Sequence, residues 1–249
     1  MIPEVSRNQS QLETLGAQAL ATRFSAIKPV SVSADLKSEY PAQEISRLLG
    51  SVLHQLGDRV CPVVHFFTAY EGEGGGGIAF EVALAAAQHS GKRTLFLNMN
   101  TTVDRSYQAL AQKAVMSVEA FWGAESPQSS PLVVLYGSSL YYADFSKSAA
   151  SAAANIDLVK ILLAELRHSF DFIVIFSEGA ASRGHIGALS ALADGAVMVV
   201  EAERTRSPVV EQLKLQTETA GGRVIGTVLN RRRFYIPAWA YRVLFGRKS

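Results

Sequence analysis

Short apolar runs alternate with helix-like runs along most of this chain, and that alternation limits the folds available to it. The strand-like runs are 62–67, 93–98, 131–136, 171–176, 195–201 and 223–229. The helix-like runs are 38–56, 77–90, 104–121, 155–168, 185–193 and 207–220. Near-continuous apolar strands separated by helices are typical of a parallel sheet covered on both faces. The pattern therefore predicts an α/β fold, a doubly wound and mostly parallel sheet with helices on both faces.

The same pattern divides the chain into three parts. Residues 1–35 are polar and weakly patterned, which predicts a loosely ordered N-terminal arm. Residues 36–230 carry the alternation and form one predicted domain, within which the Ser-, Ala- and Tyr-rich stretch 138–154 is interpreted as a surface loop. Residues 231–249 form a tail rich in basic and aromatic side chains.

Composition excludes several classes of protein. A single cysteine rules out an internal disulfide framework, and a formal net charge of +2 gives no support for nucleic-acid binding. No apolar run approaches the roughly 18 residues that a membrane helix needs, and the N-terminus lacks the pattern of a signal peptide. The histidines show no metal-ligand spacing. We therefore expect a cytoplasmic protein without a bound metal.

A glycine-rich loop follows the first apolar run. Residues 71–77 read EGEGGGG, and a helix-like run begins at Ile78. A strand, a glycine-rich turn and a helix in this order normally hold an anion at the helix N-terminus. A phosphate-binding loop ends in Gly-Lys-Ser/Thr, where this chain has Gly74, Gly75 and Gly76. The order predicts the shape of a phosphate-binding loop without its cationic side chain.

The motifs, taken in order, resemble the cytoplasmic P-loop domain of the bacterial tyrosine kinases of capsule and exopolysaccharide synthesis, a family related to the MinD and ParA ATPases. The family's loop, T-S-x-x-P-G-E-G-K-[ST]-T, is matched by residues 68–77, TAYEGEGGGG. Its L-L-I-D-x-D motif is matched by 95–100, LFLNMN, and its D-Y-V-I-I-D-T-P-P motif by 171–179, DFIVIFSEG. The A-D-G…T-R motif corresponds to 193–206, and G-x-V-L-N is intact at 226–230.

This resemblance implies a nucleotide pocket that lacks its charged groups. Gly75 stands where the family has the loop lysine, and Gly76 where it has the hydroxyl that binds Mg²⁺. Asn98, Asn100 and Phe176 stand at the positions of the lost aspartates. Amides lack the negative charge that a hard cation favours, and a phenyl ring cannot ligate a metal. We therefore expect no catalytic residue, no Mg²⁺ and no cofactor, with weak binding of ATP or ADP left open.

The vestigial pocket consists of the loop and one asparagine: Gly72, Glu73, Gly74, Gly75, Gly76, Gly77 and Asn230. One interpretation is a loop that drifted after its function ceased. The other is a set of bare backbone N–H groups that still binds an anion or a nucleotide weakly. The resemblance implies that Asn230 contacts adenine, although asparagine is also common in turns. Glu71 and Glu73 repel phosphate unless they are turned away.

Two surface regions are candidate interfaces. The family assembles through an E-x-x-R-x-x-R helix, which is matched here by Glu44 and Arg47 but has Gly50 in place of the last arginine. Glu44 and Arg47 are also spaced to pair with each other on one helix face. In the tail, the interface candidates are Arg231, Arg232, Arg233 and Trp239. The tail suits an anionic membrane surface or a partner's juxtamembrane segment, or its aromatic rings pack on the domain.

These observations favour a catalytically inactive pseudo-ATPase or pseudokinase that acts as a cytoplasmic accessory or scaffold in exopolysaccharide or capsule biosynthesis and export. The expected partners are a membrane polysaccharide co-polymerase or chain-length protein, an active homologue, or a second copy, and not nucleic acid. Two alternatives stay open: an active tyrosine autokinase or ATPase with a non-standard nucleotide site, and a MinD-like positioning module. The localisation that follows is cytoplasmic, with peripheral contact at the inner membrane through the tail left open.

Overall fold

The computed structural model describes residues 30–32, 38–100, 103–112, 132–135, 137–145, 156–179 and 183–232. The strands among them are β1 (Val30–Val32), β2 (Val63–Thr68), β3 (Thr94–Asn98), β4 (Val133–Leu135), β5 (Leu140–Asp144), β6 (Phe172–Ser177), β7 (Gly195–Glu201) and β8 (Val224–Asn230). The helices are α1 (Ala42–Leu56), α2 (Gly75–Ser90), α3 (Gln108–Ala111, after a 3₁₀ turn at Arg105–Tyr107), α4 (Ile156–Ser169), α5 (Arg183–Leu192) and α6 (Ser207–Thr219).

These strands form one sheet in the order β1–β4–β5–β3–β6–β2–β7–β8. From β5 to β8 every neighbouring pair is parallel, whereas β4 runs antiparallel to β5 and β1 runs parallel to β4. The three central strands β2, β3 and β6 are buried along their whole length. The predicted α/β, mostly parallel sheet is confirmed.

Helices cover both faces of the sheet because the side chains of each strand alternate between two cores. Val64 and Phe66 point to the face on which α1 and α2 pack. Leu95 and Leu97 point to the opposite face, together with the apolar side of α4. Burying one such side chain fully contributes about 1.5–3 kcal/mol, so the central strands are the most strongly fixed part of the fold. Because these strands are fixed, the positions of their carboxyl ends are fixed as well.

The structure corrects two parts of the expected layout. The stretch 138–154 is not simply a surface loop, because Leu140 and Tyr142 are fully buried and β5 pairs with β3. At the end of the predicted arm, Val30–Val32 forms a strand that pairs with β4. The missed signal in β5 was its run of aromatic and aliphatic residues, which favour strands.

Other predictions fall partly outside the described residues. The predicted helix at 104–121 is described only as far as residue 112, and residues 1–29 of the arm and 233–249 of the tail also lie outside. Over the described part of the chain, none of the helices has the length and apolar character required to cross a bilayer.

Candidate functional site

The carboxyl ends of the parallel strands meet at one edge of the sheet, where ligands bind in folds of this kind. β2 runs into the glycine-rich loop there, β3 ends at Asn98 and β8 ends at Asn230. A cavity of about 400 Å³ opens over the loop, and its wall includes Gly72, Gly74 and Gly76. This volume is within the range of small-molecule sites, so the edge is the candidate functional site.

Glu73 holds the loop on the side that faces β7. Its side chain is fully buried. Its Oε2 accepts hydrogen bonds from the backbone N–H groups of Ala69 at 2.8 Å and Tyr70 at 2.9 Å, and the Thr205 hydroxyl donates to its Oε1. Charge-assisted bonds of this kind are about twice as strong as neutral ones. Glu73 is therefore turned toward β7, and it fixes the loop instead of facing a phosphate.

Asn230 and Arg231 hold the loop by its carbonyl oxygens. Asn230 Nδ2 donates to the carbonyl oxygen of Glu73 at 2.8 Å, and Asn230 Oδ1 accepts from the backbone N–H of Arg231 at 2.9 Å. Arg231 Nη1 donates to the carbonyl oxygen of Gly72 at 2.8 Å and lies 3.2 Å from Glu201 Oε1. The Asn230 amide thus bonds to the loop itself. Arg231 belongs to this site as well as to the start of the tail.

Phe176 fills the space beside the first turn of α2. A Cβ atom built at Gly75 would lie 2.4 Å from Thr68 Cγ2 and 3.0 Å from Phe176 Cε2. Contacts this short force the surrounding groups to move, at a cost of about 1–3 kcal/mol. Glycine in a helix normally costs about 1 kcal/mol relative to alanine. At Gly75 the close packing leaves no room for a larger residue, which explains why glycine is present despite that cost. Neither sequence interpretation of the loop offered this explanation.

Two tyrosines complete the packing on this turn. A Cβ atom at Gly76 would lie 2.8 Å from the hydroxyl oxygen of Tyr107, and one at Gly77 would lie 3.2 Å from the Tyr40 ring. The Tyr40 hydroxyl also donates to the carbonyl oxygen of Gly74 at 3.2 Å. Aromatic rings therefore cover the positions at which an active phosphate loop carries its functional side chains.

Two buried carboxylates lie beside Asn98, the last residue of β3, and Asn100, two residues further on. Asn98 pairs in register with Asp144 of β5, and its Nδ2 donates to Asp144 Oδ2 at 3.3 Å. Asn100 Nδ2 donates to Glu178 Oε1, and the Tyr142 hydroxyl donates to Asp144 Oδ2 at 2.6 Å. The asparagines therefore supply N–H donors that aspartates could not. The negative charge at this edge lies on the elements that flank β3 rather than on β3 itself.

The tyrosine hydroxyls near these carboxylates are held in their neutral form. Burial raises the pKa of Tyr107 and of Tyr142 far above the ordinary value of a phenol, and the charge of Asp144 raises both further. The Tyr107 hydroxyl is buried and has no hydrogen-bond partner within the described part of the chain. Tyr107 forms part of the cavity wall.

A buried histidine, His65, lies on the face of β2 opposite to Val64 and Phe66. His65 Nε2 is 2.7 Å from Ser177 Oγ, and its Nδ1 is 2.8 Å from Ser190 Oγ. Burial, with a smaller contribution from the charge of His185, lowers the pKa of His65 to about 3. The imidazole is therefore neutral at physiological pH and joins β2 to β6 and α5.

The residues at this edge do not fit a magnesium–triphosphate group. Phosphoryl transfer depends on a lysine and a metal, and neither Gly75 nor Gly76 has room for a side chain. The cavity wall carries four carboxylates against two guanidinium groups, so its field opposes a polyanion. No group of three or more His, Cys, Asp or Glu side chains is arranged to hold a metal in the ranges that the structure describes.

Of the predicted interface residues that the structure describes, Arg231 lies at this edge, whereas Glu44 and Arg47 lie on α1. Glu44 and Arg47 are both exposed on α1, and the structure describes both without an ion pair between them. Arg232 is exposed at the end of the described chain. Arg233 and Trp239 lie outside the described residues.

Sequence reasoning placed the loop, Asn98, Asn100, Phe176 and Asn230 at one site, and the structure brings all of them to the same edge. It missed four side chains that shape the site: Tyr40, Tyr107, Asp144 and Glu178. Glu178 could have been found from position, since it follows the apolar strand-like run 171–176 at the edge where ligands bind, whereas Asp144 ends a strand in the stretch that the sequence analysis interpreted as a loop. The two tyrosines carry no comparable signal.

Comparisons with known proteins identify the fold. No family model matches the sequence, and no curated protein sequence matches it significantly. The kinase domain of the Escherichia coli tyrosine kinase ETK superposes with a TM-score of 0.65 at 10% identity, covering 87% of this chain and 96% of that one. The chimerical protein CapA2B2 gives 0.67 at 15% identity, with 88% and 100% covered.

The MinC:MinD cell division protein complex of Aquifex aeolicus gives a TM-score of 0.57 at 18% identity, covering 74% of this chain and 72% of that one. At these identities the likeness concerns the fold. The resemblance deduced from the motifs is thereby confirmed at that level: this chain has the P-loop NTPase fold that bacterial tyrosine kinase domains and MinD share.

Proposed function

We propose that this protein is a catalytically inactive relative of the P-loop tyrosine kinases that works by binding, as a cytoplasmic accessory or scaffold in exopolysaccharide or capsule biosynthesis and export. One observation carries the proposal. Phe176 packs against Gly75 and Gly76, where a kinase of this fold requires a lysine and a metal-binding hydroxyl. Neither glycine has a side chain, and Phe176 occupies the space next to both.

The size of the loss supports inactivity. If the lysine, the hydroxyl and the metal-binding carboxylate are each worth about 3 kcal/mol of transition-state stabilisation, their loss approaches about 9 kcal/mol, or roughly a million-fold in rate. Such contributions are not additive, so this figure is an upper guide. Even half of that loss leaves no useful turnover.

The intact framework supports a role in binding. The hydrogen bonds of Glu73, Asn230 and Arg231 keep the loop in a defined shape although its phosphate-binding side chains are missing. The exposed residues of α1, among them Glu44 and Arg47, offer a surface for assembly. The proposed partner is a membrane polysaccharide co-polymerase or chain-length protein, or an active homologue. The proposed location is cytoplasmic and peripheral to the inner membrane.

The test is calorimetry and hydrolysis with Mg·ATP, performed side by side with the ETK kinase domain as an active reference. We expect no hydrolysis above background. The variant Gly75→Lys with Gly76→Ser should gain none, because its new side chains collide with Phe176, Thr68 and Tyr107. Micromolar affinity for Mg·ATP together with turnover would overturn the proposal. Loss of that turnover in Asn98→Ala or Asn100→Ala would then favour the alternative of an active enzyme with a non-standard site.

A MinD-like positioning module is the second candidate, favoured by the likeness to MinD in the MinC:MinD complex. The tyrosine kinase domains are preferred because ETK gives the higher TM-score, 0.65 against 0.57, and a larger share of each chain superposes. Purification of the native protein with its partners separates the two candidates. A polysaccharide co-polymerase in the eluate supports the first, and a division or positioning protein in its place supports the second.

A further inference from the structure

The cavity over the glycine-rich loop has the wrong charge for a nucleotide. Its acidic wall residues are Glu39, Glu71, Asp104 and Glu178, and its basic ones are Arg105 and Arg231. The charge of Arg231 is already shared with Glu201, which lies 3.2 Å away. A concave surface whose charges are mostly of one sign concentrates counter-ions of the other sign. The field in this cavity therefore attracts cations.

Aromatic groups add to the attraction. Phe176 and Tyr107 form part of the cavity wall. The faces of aromatic rings attract ammonium and guanidinium groups, by about 0.5–2 kcal/mol. The Tyr107 hydroxyl is completely buried at this cavity, and its bonding capacity is unused by the residues that the structure describes. It offers a neutral oxygen acceptor beside the carboxylates.

Two carbonyl oxygens of the loop accept hydrogen bonds from side chains. The carbonyl oxygen of Gly72 already receives a guanidinium N–H from Arg231 at 2.8 Å, and the carbonyl oxygen of Gly74 receives the Tyr40 hydroxyl at 3.2 Å. The N–H groups of Ala69 and Tyr70 bond to the carboxylate of Glu73. The structure thus holds one guanidinium group at the rim of the cavity by one loop carbonyl and the carboxylate of Glu201.

We infer that this cavity receives a cationic side chain, an arginine or lysine on a basic peptide segment of a partner protein, in the place where related ATPases hold phosphates. The inference rests on the proposed function and gives it a recognition site. Carboxylates such as Glu71 bind the charged head, and the aromatic wall contacts the apolar stem and the face of the cation.

The experiment is an NMR titration of the ¹⁵N-labelled full chain with a short glycine peptide that carries arginine at its centre and has both ends blocked. We expect shifts at the amides of Gly72, Gly74 and Tyr107. The same peptide with citrulline, which matches arginine in shape but is uncharged, should produce none. Glu39→Gln combined with Glu71→Gln should weaken binding of the arginine peptide by about five-fold, since two charges of the wall are removed.

Glu211→Gln with Glu218→Gln is the matched control, because it removes the same charge from two exposed glutamates outside the cavity wall. Its affinity for the peptide should equal that of the unaltered protein. Thermal unfolding of both variants checks that they are folded.

Equal affinity in the two double variants would overturn the inference, as would stronger binding of ATP or tripolyphosphate at the same amides. If the peptide does not bind and ATP is not hydrolysed, this inference is wrong and the proposed function is unaffected. If ATP is hydrolysed, the proposed function is wrong as well.

Discussion

On the side of the glycine-rich loop that faces β7 and β8, the carboxylate of Glu73 accepts hydrogen bonds from loop N–H groups, and Asn230 and Arg231 donate to loop carbonyl oxygens. On the side that faces β6, they are van der Waals contacts between Phe176 and the first turn of α2. We call these the hydrogen-bonded side and the aromatic side. The hydrogen-bonded side fixes the backbone of the glycine-rich loop. The aromatic side leaves no room for the lysine and hydroxyl side chains that phosphate binding requires. The loop is therefore held in place without those side chains.

The hydrogen-bonded side should be the more costly to break. Glu73→Ala leaves the N–H groups of Ala69 and Tyr70 buried without their acceptor, and we expect a loss of about 4 kcal/mol in the free energy of unfolding. Urea denaturation measures this loss. Glu71→Ala, at an exposed neighbouring position, is the control and should change stability by less than about 0.5 kcal/mol. A loss below about 1 kcal/mol for Glu73→Ala would mean that its hydrogen bonds do not hold the loop.

The second prediction concerns the carboxylate of Glu178 and the Asn100 amide that donates to it. Asn100→Asp replaces a donor to Glu178 with a second carboxylate, and we expect a loss of about 3 kcal/mol in the free energy of unfolding at pH 7.5. The loss should shrink at acidic pH, where protonation of one carboxylate restores a hydrogen bond. Adding Glu178→Gln should recover most of it at pH 7.5. If the double variant is no more stable than Asn100→Asp alone, the contact between these two side chains does not cause the loss of stability.

The packing of the aromatic side is tested by one added methyl group. Gly75→Ala should lower the free energy of unfolding by about 2 kcal/mol, because the collision with Thr68 and Phe176 exceeds the gain of about 1 kcal/mol in helix propensity. Gly50→Ala is the control, since Gly50 lies within α1 with nothing within 4 Å of the added atom. That variant should gain about 1 kcal/mol.

Thr68→Ser removes the methyl group nearest to the added Cβ, so it should recover part of the loss when combined with Gly75→Ala. Chemical denaturation of the four variants supplies the double-mutant cycle. A Gly75→Ala protein as stable as Gly50→Ala would show that the first turn of α2 is not closely packed.

The smallest expected effect concerns His65, the buried histidine of β2. The pKa of His65 is lowered to about 3 by burial, whereas the unfolded chain binds this proton near pH 6.5. The unfolded state therefore binds more protons below pH 6.5, and the free energy of unfolding falls as the pH falls from 6.5 toward 3.

Between pH 7.5 and 5.5 this histidine should account for a loss of about 1 kcal/mol in the free energy of unfolding. His65→Gln keeps hydrogen-bonding capacity but cannot titrate, so its stability should depend less on pH over this range. Urea denaturation at the two pH values measures the difference between the proteins. Identical pH dependence would mean that other groups are responsible.

The sequence alone predicted the order of the central elements. The runs that became β2, β3, β6 and β7 are almost wholly apolar and could be buried only within a covered sheet. It also placed Asn98, Phe176 and Asn230 at one edge, because the carboxyl ends of parallel strands coincide. It failed at β5, where the polar residues on either side of a short strand concealed its pairing with β3.

The partners of these side chains could not be predicted, since contacts between distant residues depend on register. Asp144 meets Asn98 only because β5 lies beside β3 in one alignment. A shift by one residue would turn either side chain to the opposite face. The role of Glu73 was also hidden, because repulsion of phosphate and bonding to the loop are equally consistent with a glutamate in that sequence position.

The sequence by itself determined that the chain folds as a covered parallel sheet and that its glycine-rich loop lacks a lysine, because periodicity and residue identity are local properties. Only the tertiary structure decided that Phe176, Tyr107 and Tyr40 occupy the vacated positions and that the cavity wall is acidic. The physical reason is that packing and electrostatic potential are sums over side chains far apart in the chain, and those distances exist only after the strands have paired.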